Sequence, residues 1–268
     1  MATETPPRPI DEHRPRIRST VAAGSELLCC LDFDGTLAPI VDDPDAATAS
    51  ARTESAVATL AAAPAVTTAI VSGRALPDVR DRIDGPEIYA GNHGLELERD
   101  GTVAVHPIAR KRATRITTVC GILESALAPI PNYRIENKRL TGTVHCRTVP
   151  PAARPIVRQR THAVVDRFGD GLEVSPGKRI LEIEPSIPWG KGNAVAMIAA
   201  DLPPDVVSVY VGDDVTDESA FRVVEPDGIG VRVGGNDSSA ASCRLDSPDE
   251  VAAFLEWLGS AGVGAVGG

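Results

Sequence analysis

The sequence predicts an α/β fold in which an open, mainly parallel sheet is interrupted by an inserted α/β block. Short apolar runs at 27–31, 66–71 and 206–211 alternate with helical patterns, which is typical of a parallel sheet. Each run ends in a polar signature. The middle of the chain changes to helices and hairpins bounded by prolines, a pattern that favours a smaller unit inserted into a larger one.

The inserted block is assigned to residues 108–185 and has the predicted order αββαββ. A hairpin is predicted around 140–142, a helix over 151–168 and a second hairpin around 176–177. The first helix is predicted by apolar residues at helical spacing. These residues are Ile116, Val119, Cys120, Leu123 and Leu127.

The remaining chain is divided into a core and a terminal arm. Residues 20–107 and 186–268 are assigned to the core that carries the parallel sheet. Residues 1–19 are rich in Arg and Pro, and we expect them to form a disordered arm.

Composition limits the classes of partner. The formal charge of −10 argues against nucleic acid or an anionic membrane as the main partner. The five cysteines show no metal-ligand spacing, and neither a secretory signal nor an apolar segment of membrane-spanning length is found. We therefore expect a cytoplasmic monomer that acts on a small molecule.

The segment 32–36, Asp-Phe-Asp-Gly-Thr, is the most informative part of the sequence. Asp32 and Asp34 lie two positions apart at a predicted strand end, so their carboxylates point toward one small volume. Gly35 allows a tight turn and Thr36 adds a hydroxyl at the same place. Two acids so close repel each other unless a cation lies between them or one holds a proton.

Groups from two other strand ends and a helix start complete a candidate phosphate site. Asp32 is the candidate nucleophile, and Asp34 could protonate the leaving oxygen and later activate water. Asp213, Asp32 and the backbone carbonyl of Asp34 form an oxygen-rich set suited to Mg²⁺. Ser72 offers a hydroxyl to a phosphate oxygen, and Lys191 adds positive charge and holds Asp32.

Asp214 and Asp217 are assigned to a supporting position, where they orient metal-bound waters or Lys191. Taken singly, these motifs also suit a solvated turn, a helix start or a capped helix. Taken in this order at predicted strand ends, they indicate an active site.

The ordered set resembles the haloacid dehalogenase superfamily of Mg²⁺ phosphatases, and within it the trehalose-6-phosphate phosphatases. The resemblance extends over about 27–258 and implies a Rossmann-like core with an inserted cap. It also implies hydrolysis of trehalose 6-phosphate through an aspartyl-phosphate with Mg²⁺ as cofactor. The matching stretches are 32–36, 71–74, 89–96, 177–183, Lys191 and 212–218.

The resemblance also implies which residues contact the phosphorylated disaccharide. In the core they are Thr36, Gly73, Arg74 and His93, although a structural role suits His93 equally well. In the cap they are Glu136, Lys138, Arg147, Lys178 and Glu182. Alternating charges on a hairpin are also typical of a solvated face, and that alternative stays open for the cap.

Other functions remain as alternatives. The first is a phosphatase for another sugar phosphate, such as sucrose phosphate or glucosylglycerol phosphate. A non-catalytic sugar-phosphate sensor is a second, but such a protein would normally lack one of the chemical groups found here. Receiver domains are smaller and have no inserted block. A nucleotide-driven kinase is disfavoured because the sequence has no Gly-rich P-loop.

Overall fold

The structure is a computed structural model that describes residues 5–262 apart from Pro226 and Asn236. It divides into two compact units. The second unit comprises Val105–Pro188, and the first comprises the described residues on either side of that segment. The inserted block predicted at 108–185 lies inside the second unit.

The secondary structure alternates strands and helices along most of the chain. The strands of the described residues are β1 Arg8–Pro9, β2 Leu27–Leu31, β3 Val66–Val71, β4 Ile88–Gly91, β5 Glu96–Arg99, β6 Thr102–Val105, β7 Arg134–Asn137, β8 Gly142–His145, β9 Leu172–Gly177, β10 Ile180–Pro185, β11 Val207–Gly212, β12 Ile229–Val233 and β13 Cys243–Leu245. Their α-helices are α1 Ile10–Ala23, α2 Ala51–Ala61, α3 Leu76–Arg80, α4 Pro107–Leu127, α5 Arg154–Asp166, α6 Lys191–Ala200, α7 Glu218–Val224 and α8 Pro248–Trp257. Among these helices of the described chain, none is both long and apolar enough to cross a bilayer.

The first unit is built on a sheet of order β1-β13-β12-β11-β2-β3-β4-β5-β6. In this spatial order, each strand from β1 as far as β4 pairs in parallel with the next strand. The pairing of β4 with β5 is antiparallel. The predicted α/β fold with a mainly parallel sheet is therefore confirmed. The chain leaves β2 toward β3 on one side and β11 toward β12 on the other, so β2 and β11 flank the point where the strand order reverses. Ligand sites of open α/β sheets form beyond the carboxyl ends of such strands.

Helices cover both faces of this sheet because its central strands are apolar on both sides. Every residue of β2 is buried. Cys29 belongs to a cluster that includes Leu255 of α8, whereas Cys30, which points to the opposite face, belongs to a cluster that includes Phe221 of α7. This double burial holds the carboxyl end of β2 in a fixed position.

The prediction of a disordered arm at 1–19 is wrong for most of its length. Residues 1–4 lie outside the described part of the chain, but β1 and α1 follow from Arg8 onward. Ile10, Ile17 and Val21 of α1 are buried in the core cluster of the first unit. Their spacing places them on one helix face, a signal that the surrounding Arg and Pro residues obscured.

The second unit packs α4 and α5 on one face of an antiparallel sheet of order β7-β8-β10-β9. Its element sequence confirms the predicted order αββαββ. Val144 and Leu181 face the helices and are buried. The cross-strand row Glu136, Thr143 and Glu182 belongs to the other face, since strand side chains alternate.

Candidate active site

The loop after β2 brings two aspartates from different strands together. The backbone N–H of Asp32 donates to the carbonyl oxygen of Val211 at 2.9 Å, which extends the pairing of β2 with β11 and fixes Asp32. Gly35 has φ +78°, a conformation that favours glycine, and an added Cβ would collide with the carboxylate of Asp213. Glycine is therefore required here both for the turn and for the close approach of Asp213.

Three buried carboxylates form a compact cluster around this loop. Asp32, Asp213 and Asp217 each offer an oxygen, and these atoms lie within 4.8 Å of one another. The Nζ of Lys191 lies 2.9 Å from Oδ1 of Asp32 and 2.7 Å from Oδ1 of Asp217. Lys191 is the first residue of α6 and is itself buried, so its charge is directed into the cluster.

The cluster shifts the pKa values of its members. Burial raises the pKa of Asp32 well above its usual value; Lys191 opposes this rise, and Asp217 and Asp213 add to it. Burial lowers the pKa of Lys191, but Asp217 and Asp32 raise it more, so the net shift is upward and the lysine stays charged. One lysine charge cannot balance three buried carboxylates. The donor set therefore fits a bound cation.

Asp217 orients Lys191 rather than offering a free ligand atom. Its Oδ1 accepts hydrogen bonds from Lys191 at 2.7 Å and from the Tyr210 hydroxyl at 2.6 Å. Its Oδ2 accepts from the backbone N–H of Asp214 at 2.8 Å. Both oxygens of Asp217 therefore accept hydrogen bonds from within the protein.

Asp34 is held by an arginine from the end of the next strand. Arg74 donates from Nε and Nη2 to the two Asp34 oxygens, both at 2.7 Å. It also donates from Nη1 to Asp78 at 2.7 Å and from Nη2 to the carbonyl of Pro44 at 2.8 Å. Four of its five N–H donors are therefore used within the protein. Arg74 therefore holds Asp34 in place, and its contact with substrate stays a prediction.

The other predicted core residues lie in the segments that follow β2, β3 and β4. The ring of His93 packs against Gly73, where an added Cβ would lie 2.6 Å from the His93 Cε1. The backbone N–H of His93 donates to the carbonyl of Ser72 at 2.9 Å, and the Ser72 hydroxyl accepts from the N–H of Arg74 at 3.2 Å. The hydroxyl of Thr36 is buried and has no hydrogen-bond partner within the described residues.

In the second unit, the predicted substrate residues on the strands lie on the open face of the sheet. Nε2 of His145 lies 2.9 Å from Oε2 of Glu136, and the pKa of Glu136 falls to about 2 because His145 and Lys138 outweigh the upward effect of burial. The Thr143 hydroxyl lies 3.1 Å from both oxygens of Glu182, whose Oε1 lies 3.6 Å from Nζ of Lys138. This face therefore displays paired polar groups over a sheet whose other face is apolar.

Two further predicted residues of this unit lie outside these pairs. Lys178 lies in the turn between β9 and β10 and is exposed. Arg147 follows β8, and its backbone carbonyl accepts a hydrogen bond from Nη2 of Arg154 at 3.0 Å.

Sequence reasoning missed three groups that hold the site. The hydroxyl of Tyr210 donates to Asp217. In the sequence, the only indication of this role was a tyrosine within the mainly aliphatic strand β11. Asp78 and the carbonyl of Pro44 hold Arg74, and no motif spacing pointed to either.

With this geometry in place, the chain can be compared with known proteins. The family model described as trehalose-phosphatase matches residues 30–249, which include every residue of the candidate active site described above. The chain belongs to the trehalose-phosphatase family. The trehalose-phosphate phosphatase of Mycobacterium marinum is 41% identical over 241 residues, which cover 85% of this chain and 60% of that protein. The chain thus spans about 60% of the length of such family members.

Solved structures agree on the fold. The C-terminal domain of the trehalose-6-phosphate phosphatase of C. albicans matches with a TM-score of 0.79 at 23% identity and covers 97% of this chain and 99% of that one. A haloacid dehalogenase-like hydrolase from Bacteroides thetaiotaomicron matches with a TM-score of 0.60 at 16% identity and covers 87% and 99%. The predicted haloacid dehalogenase fold of this trehalose-phosphatase family member is therefore confirmed.

Proposed function

We propose that this protein hydrolyses trehalose 6-phosphate to trehalose and phosphate through an aspartyl-phosphate on Asp32, with Mg²⁺ as cofactor. Membership of the trehalose-phosphatase family supports the substrate. The observation that carries the chemistry is the contact of buried Lys191 with Asp32, beside the carboxylate of Asp213. Lys191 thus holds Asp32 beside two other carboxylates, an arrangement that suits attack on a phosphate group.

The core residues then have distinct tasks in the reaction. Lys191 binds Oδ1 of Asp32, which leaves Oδ2 as the atom that attacks phosphorus in line. Asp34 protonates the sugar oxygen as it leaves and takes a proton from the attacking water in the second half. Since Arg74 bonds both Asp34 oxygens, protonation of Asp34 requires release of at least one of these bonds. Ser72 and Thr36 supply hydroxyls to the phosphate; the unsatisfied hydroxyl of Thr36 supports this role.

The metal would be held by Asp32, Asp213 and the backbone carbonyl of Asp34. The excess of buried negative charge over the single charge of Lys191 supports a divalent ion at this place. When bound, Mg²⁺ offsets the repulsion between these carboxylates and the incoming phosphate. Removal of divalent ions with EDTA should abolish phosphate release, and added Mg²⁺ should restore it; full activity in the chelator would contradict the metal site.

The inserted block at 108–185 is proposed to act as the cap that reads the sugar. Glu136, Lys138 and Glu182 present charged acceptors and donors that can bond directionally to disaccharide hydroxyls, and Arg147 and Lys178 add positive charge. We expect Glu136→Gln to raise KM for trehalose 6-phosphate about tenfold while leaving hydrolysis of a small aryl phosphate nearly unchanged. Equal losses on both substrates would instead indicate a structural role for Glu136.

The substrate assignment is tested by measuring phosphate release across a panel of sugar phosphates. We expect kcat/KM for trehalose 6-phosphate to exceed the values for sucrose and glucosylglycerol phosphates by at least about thirtyfold, or about 2 kcal/mol. A preference of that size for another member of the panel would reject trehalose 6-phosphate. Saturable binding of trehalose 6-phosphate without turnover would indicate a sensor.

We also propose that the protein acts in the cytoplasm. All five cysteines are buried free thiols, as expected for a protein kept in a reducing compartment.

A further inference from the structure

The second unit contains a cleft that the proposed reaction does not use. Its volume is about 670 Å³, which lies within the range of small-molecule sites, roughly 300–1,000 Å³. It is bordered by the start of α5, the turn between β9 and β10, and the end of β8. Basic and apolar residues share the lining, among them Arg154, Arg158, His162, Arg179, Pro155 and Ile180.

The positive charge of this cleft is concentrated and lacks a countercharge. Arg154, Arg158 and His162 follow one another at four-residue spacing, so they lie along one face of α5. No acidic residue is among the described residues that line the cleft, and Arg158 and Arg179 form no ion pair within the described part of the chain. In a protein of net charge −10, three guanidinium groups around one cavity are unexpected on composition alone.

Hydrogen bonds to the backbone fix the side chain of Arg154 and the main chain of Arg179. Arg154 donates from Nε to the carbonyl of Val149 and from Nη2 to that of Arg147, both at 3.0 Å, which leaves Nη1 available. The carbonyl of Arg179 accepts from the N–H of Cys146 at 2.9 Å, which ties the turn to the end of β8. Arg179 has φ +65° as the second residue of the two-residue turn between Gly177 and Ile180.

The cleft is separate from the face proposed to bind sugar. Leu181 lines the cleft and is buried with Val144 under the helices. Its neighbour Glu182 points to the opposite face of β10, where it is bonded to Thr143. A ligand that contacts Leu181 and the arginines of α5 would therefore lie on the side of β10 opposite to Glu182.

We propose that this cleft binds a small organic phosphate that carries at least two phosphate groups. Guanidinium groups match phosphate oxygens in bidentate geometry, and three of them suit more than one phosphate. Pro151 and Pro155 offer apolar contact to the organic part of such a ligand. The cavity volume suits a small molecule better than an acidic protein segment, which would need an extended groove.

Calorimetric titration of the full chain with inorganic tripolyphosphate tests this site. The titration is done in EDTA at about 0.15 M salt, so that divalent ions are removed and diffuse charge effects are screened. We expect saturable binding with a Kd below about 100 μM, and about tenfold or weaker binding of inorganic phosphate. Absence of saturation up to about 1 mM, or equal affinity for the two probes, would overturn the proposal.

Matched variants locate the binding. Arg158→Gln and Arg179→Gln should each weaken tripolyphosphate binding about tenfold, since each removes a charge-assisted bond. Arg167→Gln removes the same charge from the exposed end of α5 outside the cleft and should change little. Asp32→Asn should leave the affinity unchanged, which separates this site from the active site. Equal losses in Arg158→Gln and Arg167→Gln, or stronger binding of a hexaglutamate peptide than of tripolyphosphate at the cleft, would overturn the assignment.

Discussion

The carboxylates of the first unit and those of the second are held in different ways. Asp32, Asp213 and Asp217 are buried together, and the single amine of Lys191 contacts two of them. On the sheet face of the second unit, Glu136 has its own partner in His145, and its side chain remains 26% exposed. The first arrangement leaves one lysine charge to offset three buried carboxylates. In the second, Glu136 and Glu182 each have a basic partner of their own.

This difference separates chemistry from recognition. Buried charges with too few countercharges respond strongly to an incoming cation or phosphate, because their interactions are weakly screened. Paired groups on a half-exposed face can exchange partners with sugar hydroxyls at little cost. Substitutions in the first unit should therefore change the rate and the stability greatly, and those in the second unit should change mainly binding.

The largest effect is expected for Asp32→Asn. The amide is nearly isosteric but cannot attack phosphorus, so kcat should fall by about 10⁴-fold or more while the fold is kept. Asp81→Asn, at an exposed position, makes the same chemical change away from the cluster and should keep full activity. Steady-state phosphate release and thermal unfolding of both variants measure this contrast. Retention of most activity by Asp32→Asn would exclude it as the nucleophile.

Lys191→Met should be the next most severe change, in both rate and stability. It leaves Asp32 and Asp217 buried without their cation, which costs about 3–5 kcal/mol for a broken buried pair. Because the same charge holds the nucleophile, we expect kcat to fall about 10³-fold.

The double variant Lys191→Met with Asp217→Asn distinguishes lost charge balance from lost packing. It removes the Asp217 charge that Lys191→Met leaves without a cation. The free energy of unfolding, measured in urea, should therefore recover in part. A double variant less stable than Lys191→Met would show that packing, not charge, dominates at this position.

Motifs at strand ends allowed the sequence to predict the fold and most of the residues that the structure brings together. The buried strands are marked by continuous apolar runs, and the polar groups that follow them must meet because parallel strands end at one edge. The pairing of Arg74 with Asp34 was not predicted, because the two residues are 40 positions apart and no spacing rule links them. The helix α1 was missed since Arg14, Pro15, Arg16 and Arg18 interrupt its pattern, although Ile10, Ile17 and Val21 form an apolar stripe.

Arg74→Gln tests whether the contact of Arg74 with Asp34 supports catalysis or whether Arg74 binds substrate. We expect kcat to fall about 10- to 100-fold with little change in KM, because Asp34 loses its bidentate support while the substrate contacts remain. A rise in KM at constant kcat would support the predicted substrate-binding role. Arg80→Gln, in the neighbouring short helix α3, removes the ion pair between exposed Arg80 and buried Glu98 and serves as the control.

The smallest effect is expected for Glu136→Gln, measured as stability against pH. The pKa of Glu136 falls from its ordinary value of 4.5 to about 2 in the folded protein. Its ionised form therefore stabilises the fold above about pH 4.5, and this contribution is lost as the pH falls toward about 2.

Solvent screens the partly exposed pair of Glu136 and His145, so its effect on stability is small. The free energy of unfolding should fall by about 1 kcal/mol in Glu136→Gln at about pH 7. The difference from the unsubstituted protein should shrink by about pH 3.5, whereas Glu87→Gln at an exposed position should show no such trend. A difference that stays constant between these pH values would mean that Glu136 acts through packing. The contrast between the unbalanced cluster and the locally paired face would then lose its electrostatic basis.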